Sequence, residues 1–83
     1  MIKYYYFSAD GSFYILVKEE NQLGKVVHHF CSNEYEEEVV ETVEDNISKN
    51  KTNWDRLKTM SKEILANSDE EAIEKAEAKF NDK

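Results

Sequence analysis

The sequence predicts an α+β domain, a three-stranded antiparallel meander followed by three helices (β-β-β-α-α-α), with β-β-β-α-β-α as the alternative order. Three observations predict it. Aromatic and β-branched runs at residues 2–8 and 13–18 flank Asp10-Gly11, and a further run of this kind occupies residues 26–31. Tyr35, Val39, Val43 and Ile47 recur every fourth residue within a stretch otherwise crowded with carboxylates. Ser68 is followed three residues later by Glu71, which is a helix-start signature. At 83 residues the chain reads as one small acidic domain, residues 1–83. A chain of that size buries only about 60% of its unfolded surface, so its stability margin is modest.

The first two strands follow from Asp10-Gly11, because a type I′ hairpin turn needs positive φ at both central positions. A two-residue turn there sets Phe7 opposite Tyr14. One face then holds Ile2, Tyr4, Tyr6, Phe13, Ile15 and Val17, and the other holds Tyr5, Phe7, Tyr14 and Leu16. The first face is the better core, and the second is amphipathic and rich in tyrosine. Residues 19–25, with Gly24 near their end, read as a turn region, and residues 26–31 as the third strand. Val26, His28 and Phe30 share one face of that strand, and Val27, His29 and Cys31 the other.

Residues 33–48 form the most distinctive element. Tyr35, Val39, Val40, Val43 and Ile47 fall within an arc of about 140° on a helical wheel. As a strand, the same residues would put Val39 and Val43 on a face with Glu37, Glu41 and Asp45, which no core accepts. Asn33 is a good N-cap, and Glu36 stands where a capping-box carboxylate reaches back. Glu34, Glu36 and Glu37 sit in the first turn, where the helix dipole favours negative charge.

Thr52 with Asp55 suits a second capping arrangement, and Trp54, Leu57, Met60, Ile64 and Leu65 share an arc of about 140°. This predicts a second helix over 53–66 with Trp54 in the core. The rival reading is a strand over 59–66, where Ile64 and Ala66 alternate; the sharing of one face by Lys58 and Lys62 counts against it. The last helix follows the Ser68 cap, with Ala72, Ile73, Ala76 and Phe80 on one side. Its small alanines suit close packing.

The formal net charge is −7, from 11 basic and 18 acidic residues, and it is unevenly placed. Residues 1–32 balance, residues 33–48 carry −7 without one base, residues 49–66 carry +3 and residues 67–83 carry −3. Glu34, Glu37, Glu38, Glu41, Glu44 and Asp45 occupy the arc opposite the apolar one. Like charges at i,i+3 and i,i+4 cost roughly 0.2–0.5 kcal/mol each. A helix shaped by stability alone would intersperse lysines there, so the run reads either as a solvated face that keeps the chain soluble or as a surface that meets a positively charged partner. This composition disfavours direct binding to duplex nucleic acid, because phosphate contacts need a basic footprint. The single cysteine, Cys31, excludes an internal disulfide and fits a reducing compartment. The N-terminal apolar run is too short for a signal peptide, nothing approaches a membrane span, and a cytoplasmic location with no membrane partner is expected.

Catalytic and metal signatures are weak. His28 and His29 are adjacent and point to opposite faces of a strand, so they do not ligate from one side. His29 and Cys31 share a face, but a zinc site needs three or four ligands, and a carboxylate would have to complete it. Cys31 precedes a helix N-terminus and has His29 beside it, yet His29 has no orienting group in the sequence. Gly11 and Gly24 alone make no phosphate loop. No enzymatic activity, cofactor or metal is therefore expected.

In size and charge placement the chain resembles small acidic proteins encoded by phages and mobile elements. Among these are anti-restriction and anti-CRISPR inhibitors that imitate the charge of DNA. The resemblance implies a non-enzymatic protein-binding module whose partner is the basic surface of another protein, such as a nucleic-acid-binding enzyme. Glu34, Glu37, Glu38, Glu41, Glu44 and Asp45 would carry that contact. The alternative is a small oligomeric or accessory subunit, a homodimer for instance, that assembles through the tyrosine-rich sheet face at Tyr5 and Tyr14.

Overall fold

The computed structural model describes residues 1–9 and 11–82. Four strands and three helices follow in the order β1 (Ile2–Phe7), β2 (Phe13–Glu20), β3 (Leu23–Cys31), α1 (Glu34–Lys49), α2 (Lys51–Met60), β4 (Lys62–Ala66) and α3 (Asp69–Asn81). The sheet order is β3-β2-β1-β4, and every neighbouring pair is antiparallel. The α+β class stands, but the sheet has a fourth strand.

That strand corrects the helix expected over 53–66. The helix ends at Met60, Ser61 turns into extended backbone as the C-cap, and the chain pairs along β1 with Tyr4 opposite Ile64. Ile64 and Ala66 face inward while Glu63 and Leu65 face out, which is the period of two a half-buried edge strand requires. The objection to a strand fails because Lys58 belongs to α2, so it and Lys62 never share a strand face. Met60 and Leu65, assigned to the apolar arc, are about half exposed.

The β1–β2 register is shifted by one residue from the expected one. Phe7 stands opposite Ile15 and Tyr6 opposite Leu16. Asp10 lies outside the described residues; Gly11 has φ 81°, in the left-handed region. The shift regroups the faces. Tyr4, Tyr6, Tyr14 and Leu16 pack with Ile64, Ala66, Ala72 and Ala76 beneath α3. Phe13, Ile15 and Val17, with Tyr5 and Phe7, pack with Val40, Ile47, Trp54 and Leu57 beneath α1 and α2. The helices therefore cover both faces of the sheet, and Phe13 to Val17 of β2 are buried throughout. When both faces are apolar, alternation along the strand cannot select one register over its neighbour.

The β2–β3 turn is shorter than residues 19–25. Glu20 pairs with Leu23, and Asn21 and Gln22 take φ 54° and 66°, the type I′ geometry. A bulge in the ladder, where Leu16 opposes His28 but Val17 opposes Val26, leaves Val27 as the extra residue. It moves Val26 onto the α1 side, with His29 and Cys31, and Val27 onto the α3 side.

Trp54 organises the α2 side. It is fully buried, its Nε1 donates to Glu19 Oε1 at 2.8 Å, and Tyr5 meets its ring edge-on at 5.2 Å. Lys58 lies 5.3 Å from the ring centroid and pairs with Glu19 at 3.0 Å. Gly24 admits this packing, because a Cβ there would lie 2.6 Å from Trp54 Cε3 and 2.9 Å from Ile47 Cδ1.

Candidate partner-binding face

Helix α1 is fixed at its start by three contacts. The Asn33 side chain accepts from Glu36 N at 3.0 Å, Glu36 Oε1 accepts from Ser32 N at 2.9 Å, and Glu36 Oε2 accepts from the Ser12 hydroxyl. Glu36 thus reaches one residue further back than a standard capping box, and it is buried at 5% exposure. Val40 and Ile47 are the buried contacts of the helix with the sheet, flanked by the half-buried Val39 and Val43.

This anchorage leaves the opposite side of α1 in solvent. Glu34, Glu37, Glu38, Glu41, Glu44 and Asp45 are all exposed. Two of them have side-chain partners: Asp45 pairs with Lys49 at 2.7 Å, and Glu37 lies 3.1 Å from His29 Nε2. Among the described residues, no basic side chain pairs with Glu34, Glu38, Glu41 or Glu44. Neighbouring lysines of the fold have other partners. Lys25 pairs with Glu20, Lys51 with Asp55, and Lys58 with Glu19 and Asp55.

The ridge has two unlike flanks. Towards the β2–β3 hairpin, Glu41, Glu44 and Asp45 line an open cleft of about 620 Å³ with Leu23, Lys25 and Val26 on its far wall. On the other side, Tyr35, Val39, Thr42 and Val43 form a shallow strip. Tyr35, assigned to the buried arc, is 73% exposed. It stands at the edge of that arc in the first turn, whose seat on the β3 side is taken by Glu36 and Glu37 instead. Its edge position on the wheel was the one signal of this in the sequence.

The two tyrosines proposed for assembly are on opposite faces, and neither face is open. Tyr5 packs against Trp54 on the α2 side, and Tyr14 is 2% exposed beneath α3. The Tyr14 ring lies 5.5 Å from Tyr6 and 5.1 Å from Phe80, whose ring in turn lies 5.4 Å from Phe30. The expected assembly surface is therefore the seat of the chain's own helices, because the one-residue register shift separates Tyr5 from Tyr14.

The fold also changes the surroundings of the histidines. His28 faces α3, 3.8 Å from Glu77, while His29 and Cys31 face α1. There Glu37 supplies the third donor that the sequence did not offer, and ligand atoms of His29, Cys31 and Glu37 lie within 4.8 Å of one another. Burial pushes the Cys31 thiol pKa up, and the Glu37 and Glu36 carboxylates push it further. This is the opposite of what an activated nucleophile needs.

Among the described residues, no helix is long and apolar enough to cross a membrane. The chain matches no family model, no curated protein and no solved structure.

Proposed function

We propose that this protein is a non-enzymatic binding module that presents the acidic ridge of α1 to the basic groove of a nucleic-acid-binding protein, as an inhibitor of the DNA-mimic type. The observation that carries the reading is that Glu34, Glu38, Glu41 and Glu44 stand exposed on a rigid helix, without a basic counterpart among the described residues. Self-repulsion on that ridge costs folding free energy, and a cationic partner offsets it.

The spacing of the charges supports the same reading. Glu34 to Asp45 spans about 17 Å of helix axis, so the six exposed carboxylates fall at about one per 3 Å. A strand of duplex DNA carries one phosphate per about 3.4 Å. Charges held on a capped helix also avoid the ordering cost that an acidic tail would meet on binding. Tyr35 beside the ridge adds an aromatic contact of the kind enriched at interfaces.

The test is capture from a cell lysate by the immobilised chain at low salt, repeated with rising salt and with the triple variant Glu38→Lys, Glu41→Lys, Glu44→Lys. Glu37 is left out of that variant because it is engaged with His29. The reading expects capture that fades as salt rises, that the triple variant loses, and that added duplex DNA displaces. Capture that survives charge reversal would overturn the acidic-ridge reading. Capture that duplex DNA does not displace would overturn the assignment to a nucleic-acid groove.

A further inference from the structure

We propose that His29, Cys31 and Glu37 form a binding site for zinc or a similar borderline-soft divalent transition-metal ion, with the fourth coordination position open to solvent. One nitrogen, one sulfur and one carboxylate oxygen within 4.8 Å of one another make a donor set of the kind zinc takes. A tetrahedral ion with bonds of about 2.0–2.3 Å holds its ligand atoms about 3.3–3.8 Å apart. His29 Nε2 and Glu37 Oε2 already lie 3.1 Å apart, so rotamer adjustments of side chains suffice to close the site.

The backbone pre-organises this triangle from two directions. His29 and Cys31 are alternate residues on β3, opposite Ile15 and Phe13, and so project on the same face, towards α1. Glu37 lies one turn into α1, and the Asn33 cap and the buried Glu36 fix where that helix begins. Only Ser32 and Asn33 separate the strand from the helix, which leaves the third ligand little freedom to drift away from the other two.

The arrangement is convergent rather than sequential. In a nucleophile–base–acid relay the histidine would reach the cysteine with one ring nitrogen and the carboxylate with the other. Here Glu37 lies within reach of both partners: its Oε2 is 3.1 Å from His29 Nε2, and its carboxylate lies within 4.8 Å of the Cys31 sulfur. All three side chains are reachable from solvent, with the His29 side chain 36% and the Glu37 side chain 50% exposed. Binding replaces the thiol proton, which leaves to solvent, by a metal–thiolate bond. Affinity therefore rises with pH, and loading releases protons.

The test is titration of the purified, metal-stripped chain with zinc, read by a competing chromophoric chelator, and with cobalt(II), read by its absorption spectrum. The expected result is one ion per chain, with a thiolate-to-cobalt charge-transfer band. Cys31→Ser should abolish the band, and His29→Ala and Glu37→Gln should each weaken binding by an order of magnitude or more. Circular dichroism checks that each variant is folded, and a zinc-dependent rise in Tm should appear in the wild type and vanish in Cys31→Ser. A folded wild-type chain without the charge-transfer band at micromolar metal would overturn the site. So would stoichiometric binding that survives Cys31→Ser, since the ion would then lie on the acidic ridge instead. Cys31→Ser leaves every carboxylate of the ridge in place, so failure of the metal site and failure of the partner-binding reading give separate results.

Discussion

Helices α1 and α3 begin in the same way and end with opposite surfaces. Each has a side-chain cap, Asn33 or Ser68, and in each a glutamate of the first turn accepts from the backbone N–H of the residue before the cap. Each lies on one face of the sheet. Helix α3 pairs two of its acids with lysines of the fold: Asp69 meets Lys18 at 3.1 Å, Glu71 meets Lys75 at 3.3 Å, and Lys75 also donates to Leu65 O at 2.6 Å. On α1, Lys49 reaches Asp45 and His29 reaches Glu37, while Glu34, Glu38, Glu41 and Glu44 are left without a basic partner among the described residues. Capping, burial and its lysine pairs account for most of α3, with Glu70 and Glu74 exposed on its outer side. On α1, capping and burial account for the inner face, and those four unpaired glutamates stand on the outer face.

On that contrast, breaking the inner seats should be costly and altering the outer ridge should not. The largest effect is expected from Trp54→Ala, which empties the seat of α2. A fully buried tryptophan removed from a packed core costs about 3–5 kcal/mol, to be read from urea unfolding.

Alkaline pH should act on the α3 side. Burial raises the hydroxyl pKa values of Tyr4 and Tyr14 to about 12, with the Asp69 carboxylate adding to the effect at Tyr4 and that of Glu77 at Tyr14. The folded chain keeps both protons after the unfolded chain has released them near 10.0, so stability present below pH 10.0 drains away as pH climbs towards about 12. Tyr4→Phe should shrink that loss. At the acid end, the Tyr4 hydroxyl and the Lys18 ammonium hold the Asp69 carboxyl below its usual pKa. Its contribution is present above the ordinary carboxylate value and disappears as pH falls through the acid range. Unfolding curves across pH for wild type and Asp69→Asn measure it.

Gly24→Ala should cost about 1–3 kcal/mol, because the new methyl meets the Trp54 ring and Ile47 rather than open space. The smallest effect sharpens the comparison most. Glu41→Lys on the ridge should leave thermal stability unchanged or raise it, by about 0.2–0.5 kcal/mol for each like-charge neighbour relieved. The matching change on α3, Lys75→Glu, should lower it, since the Glu71 pair and the bond to Leu65 O are both lost. A destabilising Glu41→Lys would mean that the ridge serves the fold after all.

Much of this was legible in the residues, and what was not has an identifiable cause. The caps at Asn33 and Ser68, the helix over most of 33–48 and the burial of Trp54 all followed from the chain. Tyr35 was misplaced because it lies at the edge of the apolar arc, and periodicity does not say how far round the helix the buried seat extends. The strand at Lys62–Ala66 was missed as the main reading because Ile64 and Leu65 also fit a helical arc, and only a free edge on β1 decides between the two. The third donor of the His29–Cys31 pair was missed because Glu37 was counted with the ridge, while the short link through Ser32 and Asn33 turns it back towards β3.

The sequence by itself determined what acts over a few residues: where α1 and α3 start, which side of each turns inward, and the unbroken acidic run on the outer side of α1. Those depend on backbone groups and neighbours within one or two helical turns, and they hold whatever the rest of the chain does. Tertiary structure alone decided the β1–β2 register, the conversion of residues 62–66 to a strand, the division of Tyr5 from Tyr14 and the approach of Glu37 to Cys31. Each of these is a choice between local arrangements of similar energy, and segments far apart in the chain, packed on both faces of one sheet, make that choice.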